Sequence, residues 1–131
     1  MKDISICTNG TAQMEVTPER LACAVGSGSL AVFATPMMTA VMEAAACNAI
    51  AAALEGEETT VGTALDIQHT AATPQGMTVT AEAEVTAVNG REIAFRVTAS
   101  DGAGEIGSGT HKRFVVYAGR FQEKADKRGQ A

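Results

Sequence analysis

Ala34-Thr35-Pro36-Met37-Met38-Thr39-Ala40-Val41-Met42-Glu43 opens one long helix, and that helix decides the fold. Thr35 before Pro36 is a start signal. Threonine suits the N-cap, and proline in the first turn gives up an N–H that had no partner there. The apolar run continues to Leu54, so the helix is expected over 36–54, with Gly56 stopping it in the left-handed C′ conformation. Apolar residues occupy nearly the whole circumference rather than a stripe. A helix of that kind is expected to be enclosed, so the rest of the chain must supply a wrapping.

Downstream, residues 59–70, 76–88, 91–99 and 105–117 read as strands. Met77, Val79, Ala81, Ala83, Val85 and Ala87 share one face of the second by the period of two, against Thr78, Thr80, Glu82, Glu84 and Thr86 on the other. Asn89-Gly90 is a hairpin signal, leading into Ile93, Phe95, Val97 and Ala99 on the inner face of the third. Val61, Thr63, Leu65, Ile67 and His69 share a face of the first, and Asp101-Gly102-Ala103-Gly104 turns the chain into the last. On that last strand Arg113 and His111 lie opposite in phase to Phe114, which reads them as surface residues. A four-strand antiparallel meander around one helix is an α+β domain over 1–118, with no repeat or linker to divide it.

Upstream, Asn9-Gly10 suggests a turn between 3–8 and a strand over 11–17. Residues 18–34 contain Gly26-Ser27-Gly28-Ser29 and read as a loop or lid. From Gly119 to Ala131 the sequence is polar and mixed in charge, and a loosely ordered tail is expected.

Fifteen acidic against ten basic residues give a net charge of −5, which argues against nucleic acid as a partner. No segment reads as a leader, and 36–54 contains Thr39, Glu43 and Asn48, so a buried helix is preferred to a membrane span. Cys7, Cys23 and Cys47 are odd in number and lack CxxC spacing. That disfavours a disulfide framework or a metal site and fits a reducing cytoplasm, with Cys47 read as a small core residue.

Glu43 is the one charged side chain between Arg20 and Glu55. An ionised carboxylate in apolar surroundings costs several kcal/mol or more unless it is paired or hydrogen-bonded, so its placement points to chemistry. His69 ends the first long strand in the inward phase, on the side expected to face Glu43. Thr35 can orient a carboxylate or water, or serve only as a cap.

Thr35 with Glu43 eight residues on, Val61-Gly62-Thr63-Ala64, His69-Thr70-Ala71-Ala72-Thr73-Pro74, and Glu105-Ile106-Gly107-Ser108-Gly109-Thr110-His111 together resemble the fluoroacetyl-CoA thioesterase group of hotdog-fold proteins. The resemblance covers about 33–117. It implies a hotdog domain, a homodimer or higher homo-oligomer with joined sheets, and hydrolysis of an acyl-CoA thioester. Coenzyme A enters as part of the substrate, with no separate cofactor. The resemblance puts the catalytic threonine, glutamate and histidine on Thr35, Glu43 and His69, an active-site glycine on Gly62 and a pocket arginine on Arg113.

Glu43 can act as general base toward water or attack the thioester directly. The segment Leu21–Phe33 differs from the aromatic lid of the group, offering Phe33 alone against the substrate. A Gly-Ser lid excludes water less well, so a short or medium acyl-CoA is expected rather than strict fluoroacetyl selectivity. The alternative function is a non-catalytic hotdog module binding acyl-CoA or another apolar ligand. A hydratase is disfavoured because its strand-borne Asp and His spacing is not present.

Overall fold

The computed structural model describes residues 1–130. Its elements are β1 (Asn9–Glu15), a 3-10 turn (Pro18–Arg20), the short α1 (Ala22–Val25) and α2 (Thr35–Ile50), which a 3-10 turn at Ala51–Ala53 extends. Then come β2 (Glu58–His69), β3 (Thr78–Asn89), β4 (Glu92–Asp101), β5 (Gly104–Tyr117) and α3 (Ala118–Gly129). The five strands form one antiparallel sheet in the order β1-β3-β4-β5-β2. The α+β architecture matches the expectation from sequence, but the meander is three strands long, not four. β1 takes the free edge of β3, so β2 pairs instead with β5 on the far edge.

The inner faces of β3 and β4 are those that the alternation indicated as far as Val85. A bulge there pairs Ala87 with Ala94 and Val88 with Ile93, so Val88 and not Ala87 continues the inner face of β3. Val79, Ala81, Ala83, Val85, Ile93, Phe95, Val97 and Ala99 are buried, and Met38, Val41, Met42, Ala45 and Ile50 of α2 pack against them. A fully buried Met, Val or Ile side chain contributes about 1.5–3 kcal/mol, so this layer supplies most of the fold's cohesion. The helix begins one residue earlier than expected for its cap. Ala34, in extended conformation, is the N-cap, and Thr35 sits inside the first turn with its side chain free for other work. The helix also ends before Gly56, whose positive φ of 57° serves the turn into β2 instead.

α2 is not enclosed. The sheet covers one side, while Pro36, Ala40, Ala44 and Asn48 lie exposed on the other. The span Thr35–Ala53 is apolar and long enough to cross a membrane by composition alone. Its largest side chains nonetheless lie in the core, and alanine on the outer face is what helix propensity favours. Cys47 is half-buried and all three thiols are free.

Asn9-Gly10 opens β1 rather than turning a hairpin, and residues before it run toward β3, with the Cys7 N–H donating to the Val85 carbonyl at 2.9 Å. Gly10 is needed because β1 crosses α2 at contact distance. A Cβ there would stand 2.7 Å from the Ala45 carbonyl oxygen and from Ala49 Cα.

Bulges defeat simple alternation in β2 and β5. The β2–β5 register shifts between Gly62 and Ala64, which leaves Val61 opposite Phe114 and Gly62 opposite Arg113. Val61 therefore leaves the face shared by Leu65, Ile67 and His69. A second shift pairs Ala99 with Gly107 but Ser100 with Glu105, with Ile106 as the extra residue. Beyond it, His111, Arg113 and Val115 point inward and are buried, while Phe114 is 41% exposed. The surface reading of His111 and Arg113 is thus corrected. The tail reading is corrected too: residues from Ala118 to Gly129 form a solvent-exposed helix, started by Tyr117 between the guanidinium groups of Arg91 and Arg120 at 4.8 and 5.1 Å.

Candidate active site

Two polar clusters lie along α2. The first sits at its start, where Thr35 Oγ1 is 2.8 Å from His69 Nδ1. β2 delivers His69 to this point because its last pair with β5 is His69–Gly107. Ala22, Leu30, Val32, Phe33 and the Gly-Ser segment line a cleft of about 410 Å³ with Thr35 and His69. Phe33 is fully buried, fixed by its N–H to the Thr73 carbonyl at 2.8 Å, so it forms the floor of the cleft rather than a mobile flap. Burial pushes the His69 pKa below the ordinary histidine value, opposed in part by the Ala71 backbone. Its Nε2 is buried without a hydrogen-bond partner among the described residues. An unpaired polar atom in the wall of a cleft is a vacant position for a ligand atom.

The second cluster lies two turns further along. Glu43 Oε2 accepts from Arg113 Nη1 at 3.0 Å. Arg113 is nearly buried and makes more bonds: Nε donates to Thr60 Oγ1 at 2.9 Å, Nη2 to the Thr60 carbonyl at 3.1 Å, and Nη1 also meets His111 Nε2 at 3.1 Å. Glu43 keeps 36% of its side chain exposed, so it faces outward from a buried cation. Gly62 makes room for it. A Cβ at that position would stand 2.6 Å from Glu43 Oε2 and 3.3 Å from Arg113 Nη1. Glycine is thus required by the close approach of the carboxylate to the strand.

The structure therefore joins Thr35, His69 and Phe33 in one place, and Glu43, Gly62 and Arg113 in another. Eight residues of helix separate Thr35 from Glu43, roughly 12 Å along the axis. The imidazole beside Glu43 is not His69 but His111, whose Nε2 is 3.9 Å from Oε2. The sequence reading missed His111 and Thr60. The usable signal was Glu43 itself: a lone carboxylate on an apolar helix needs a cation, and an inward Arg113 is the one that the β5 bulge supplies.

A model of the fluoroacetyl-CoA-specific thioesterase family matches residues 16–118. A fluoroacetyl-CoA thioesterase of Streptantibioticus cattleyicolor is 50% identical over 93 residues, 71% of this chain and 67% of that protein. Among solved structures, a mutant of the fluoroacetyl-CoA-specific thioesterase FlK superposes with a TM-score of 0.90 at 37% identity, covering 98% of this chain and 99% of its own. Another FlK mutant, in complex with acetyl-CoA, gives 0.90 at 38% identity over 95% and 98%. A Thermus thermophilus member of the thioesterase superfamily gives 0.90 at 25% identity over 99% and 96%. The sheet curled on one helix is therefore a hotdog fold, and the chain belongs to the fluoroacetyl-CoA-specific thioesterase family of thioester hydrolases.

Proposed function

We propose that the protein hydrolyses short or medium acyl-CoA thioesters with Glu43 as general base. The observation that carries this is the carboxylate held by a buried arginine yet open to solvent. Arg113 occupies Oε2, and Oε1 has no partner among the described residues, which leaves it to take a proton from water. That water forms the new C–O bond, the C–S bond breaks, and the proton passes from Glu43 to the departing thiolate. The unpaired Nε2 of His69 is suited to donate to the carbonyl oxygen, where negative charge develops, with Thr35 fixing that tautomer by donating its hydroxyl to Nδ1. Fluoroacetyl-CoA and acetyl-CoA, named with relatives, are the first substrates to try.

Both clusters can serve one substrate only if a second copy joins them. β2 is a free edge whose residues from Gly62 to Asp66 are exposed, and such edges call for a partner. Pairing the run from Gly62 to His69 with its own antiparallel copy sets its two ends opposite each other. Glu43, lying against Gly62, then meets His69 of the partner subunit. This reading makes the enzyme a homodimer with two sites, each built from both chains.

The test is thiol release from a panel of acyl-CoA esters. Glu43→Gln is expected to lower kcat by about 10²–10⁴-fold with folding intact. Full turnover in that variant would overturn the assignment. Single turnover in isotopically labelled water separates the base from a nucleophile, since only direct attack by Glu43 leaves label in its carboxylate.

A further inference from the structure

His111 takes no part in the hydrolysis proposed above, yet it is one of two histidines in the chain and is fully buried. Both ring nitrogens have partners of fixed polarity. Nδ1 lies 2.8 Å from the Ala64 carbonyl oxygen, which only accepts, so Nδ1 carries the hydrogen. Nε2 lies 3.1 Å from Arg113 Nη1, which only donates, so Nε2 presents its lone pair. The ring is therefore neutral and in the Nδ1–H tautomer.

Nη1 of Arg113 has two hydrogens. One goes to His111 Nε2 and the other to Glu43 Oε2, while Nε and Nη2 are committed to Thr60. Without an acceptor at Nε2, a hydrogen of a nearly buried guanidinium is left unpaired. The group could recover it only by turning away from Glu43 or from Thr60.

We propose that His111 is a positioning residue for the Glu43 carboxylate: as a neutral acceptor it locks Arg113 in the orientation that holds Oε2 and leaves Oε1 to water. This rests on the reading of Glu43 as the base. Protonation of the ring undoes the arrangement. It sets an N–H against an N–H at 3.1 Å and makes the imidazolium a rival for Glu43, 3.9 Å away. The charged groups facing the ring are Arg113 on its own strand and Glu43 on α2. β4 presents Phe95, with ring centroids 6.0 Å apart, and β2 presents the Ala64 carbonyl. Burial holds the pKa below the ordinary value; the Ala64 carbonyl opposes this, Arg113 adds to it, and Glu43 opposes it.

Two replacements separate the two nitrogens. His111→Gln places a carbonyl oxygen near the position of Nε2 and so still offers Arg113 an acceptor. His111→Asn places its amide near Nδ1, able to donate to Ala64 but offering Arg113 nothing. The Asn variant is expected to lose about 10–100-fold in kcat with KM within about threefold, and the Gln variant to stay within about threefold of wild type in both. Nitrogen-15 spectra of the wild type at neutral pH are expected to show the Nδ1–H tautomer, a readout independent of turnover and of whether a variant folds.

Equal losses in both variants, full turnover in the Asn variant, or an Nε2–H tautomer would each overturn the proposal. The reading of Glu43 fails separately. Turnover in Glu43→Gln removes the base and the positioning role with it, whereas a dead Glu43→Gln beside an indifferent His111→Asn removes only the latter.

Discussion

The two polar clusters along α2 are built on opposite principles. Around Glu43, Arg113 has its bonds to Thr60, His111 and the carboxylate all made, and Gly62 clears the space in which the carboxylate lies. Around His69 there is one side-chain bond, to Thr35, an unpaired Nε2, and a cleft wall that includes Ser27, Gly28 and Ser29. On the proposed mechanism the difference is a division of labour. A base must be held to within a fraction of an ångström before substrate arrives. Groups that receive the substrate's oxygen must stay vacant until then.

The comparison breaks first at the question of which chain supplies which cluster. Glu43→Gln and His69→Ala, each expected to be nearly inactive alone, can be combined in one tagged heterodimer. If the clusters meet across the β2 edge, one of the two sites contains both native residues, and the heterodimer regains about half of wild-type activity. If each site is built within one chain, every site carries a lesion and nothing is regained. A heterodimer as dead as its parents therefore sinks the shared site while leaving both residues in place.

The held cluster is tested next by Gly62→Ala. The added Cβ meets the far end of a flexible side chain, 2.6 Å away, so the carboxylate moves and the strand does not. A displacement of this size is expected to cost about 10–100-fold in kcat while the melting temperature stays close to wild type. Unchanged kcat would show that the carboxylate has no need of its present position. A large loss of stability would show instead that Gly62 serves the β2 bulge alone.

How far the two clusters could be read from the chain follows from the same contrast. Strands β3 and β4 were legible because alanine and valine alternate with threonine and charged residues, and their inner faces came out as read up to the bulge after Val85, beyond which Val88 replaces Ala87. The helix start at Thr35-Pro36 and the isolation of Glu43 were equally plain. β5 misled because Ile106 is an extra residue at a bulge, and one such insertion moves every later side chain to the other face. His111 and Arg113 then look like solvent-facing polar residues, since alternation cannot show a buried pair whose counter-charge comes from a helix. β2 joined the wrong neighbour for a simpler reason: pairing along a chain favours adjacent strands, and here β1 had already taken that edge. The Gly-Ser segment was legible as a lid but not as a cleft wall, because only contacts across the fold fix Phe33 beneath it.

On the open cluster, pH supplies a smaller effect with a definite sign. His69 has its pKa lowered from 6.5 by burial. Between that lowered value and 6.5 the unfolded chain binds more protons than the folded one, so stability climbs with pH there. The contribution is complete above 6.5 and is lost as pH falls through the folded value. His69→Gln, which cannot titrate, is expected to show a flatter melting temperature across that window than the wild type. Parallel curves for the two proteins would show that His69 is as hydrated as in the unfolded chain.

The smallest expected effect concerns what holds the wall of the open cluster. Thr73 is fully buried just beyond the cleft. Its carbonyl accepts from the Phe33 N–H, and its hydroxyl donates to Asp101 Oδ2 at 2.7 Å. Thr73→Val keeps the shape and the backbone bond but removes the hydroxyl. Asp101 is near the surface and regains water, so the cost is about 1 kcal/mol, or a fall of roughly 3–6 °C in melting temperature. The Thr73 hydroxyl, and after it the Ala103 N–H, lower the Asp101 pKa from 3.8. The bond's contribution is therefore whole above 3.8 and lost as pH falls through the lower, folded value. The gap between Thr73→Val and wild type should accordingly be full at neutral pH, begin to narrow below 3.8 and close as pH falls through the folded value. Turnover should change little, because Phe33 stays on its backbone bond. A marked rise in KM would mean that the cleft depends on this hydroxyl for its shape, and that the open cluster is held more firmly than its single side-chain bond suggests.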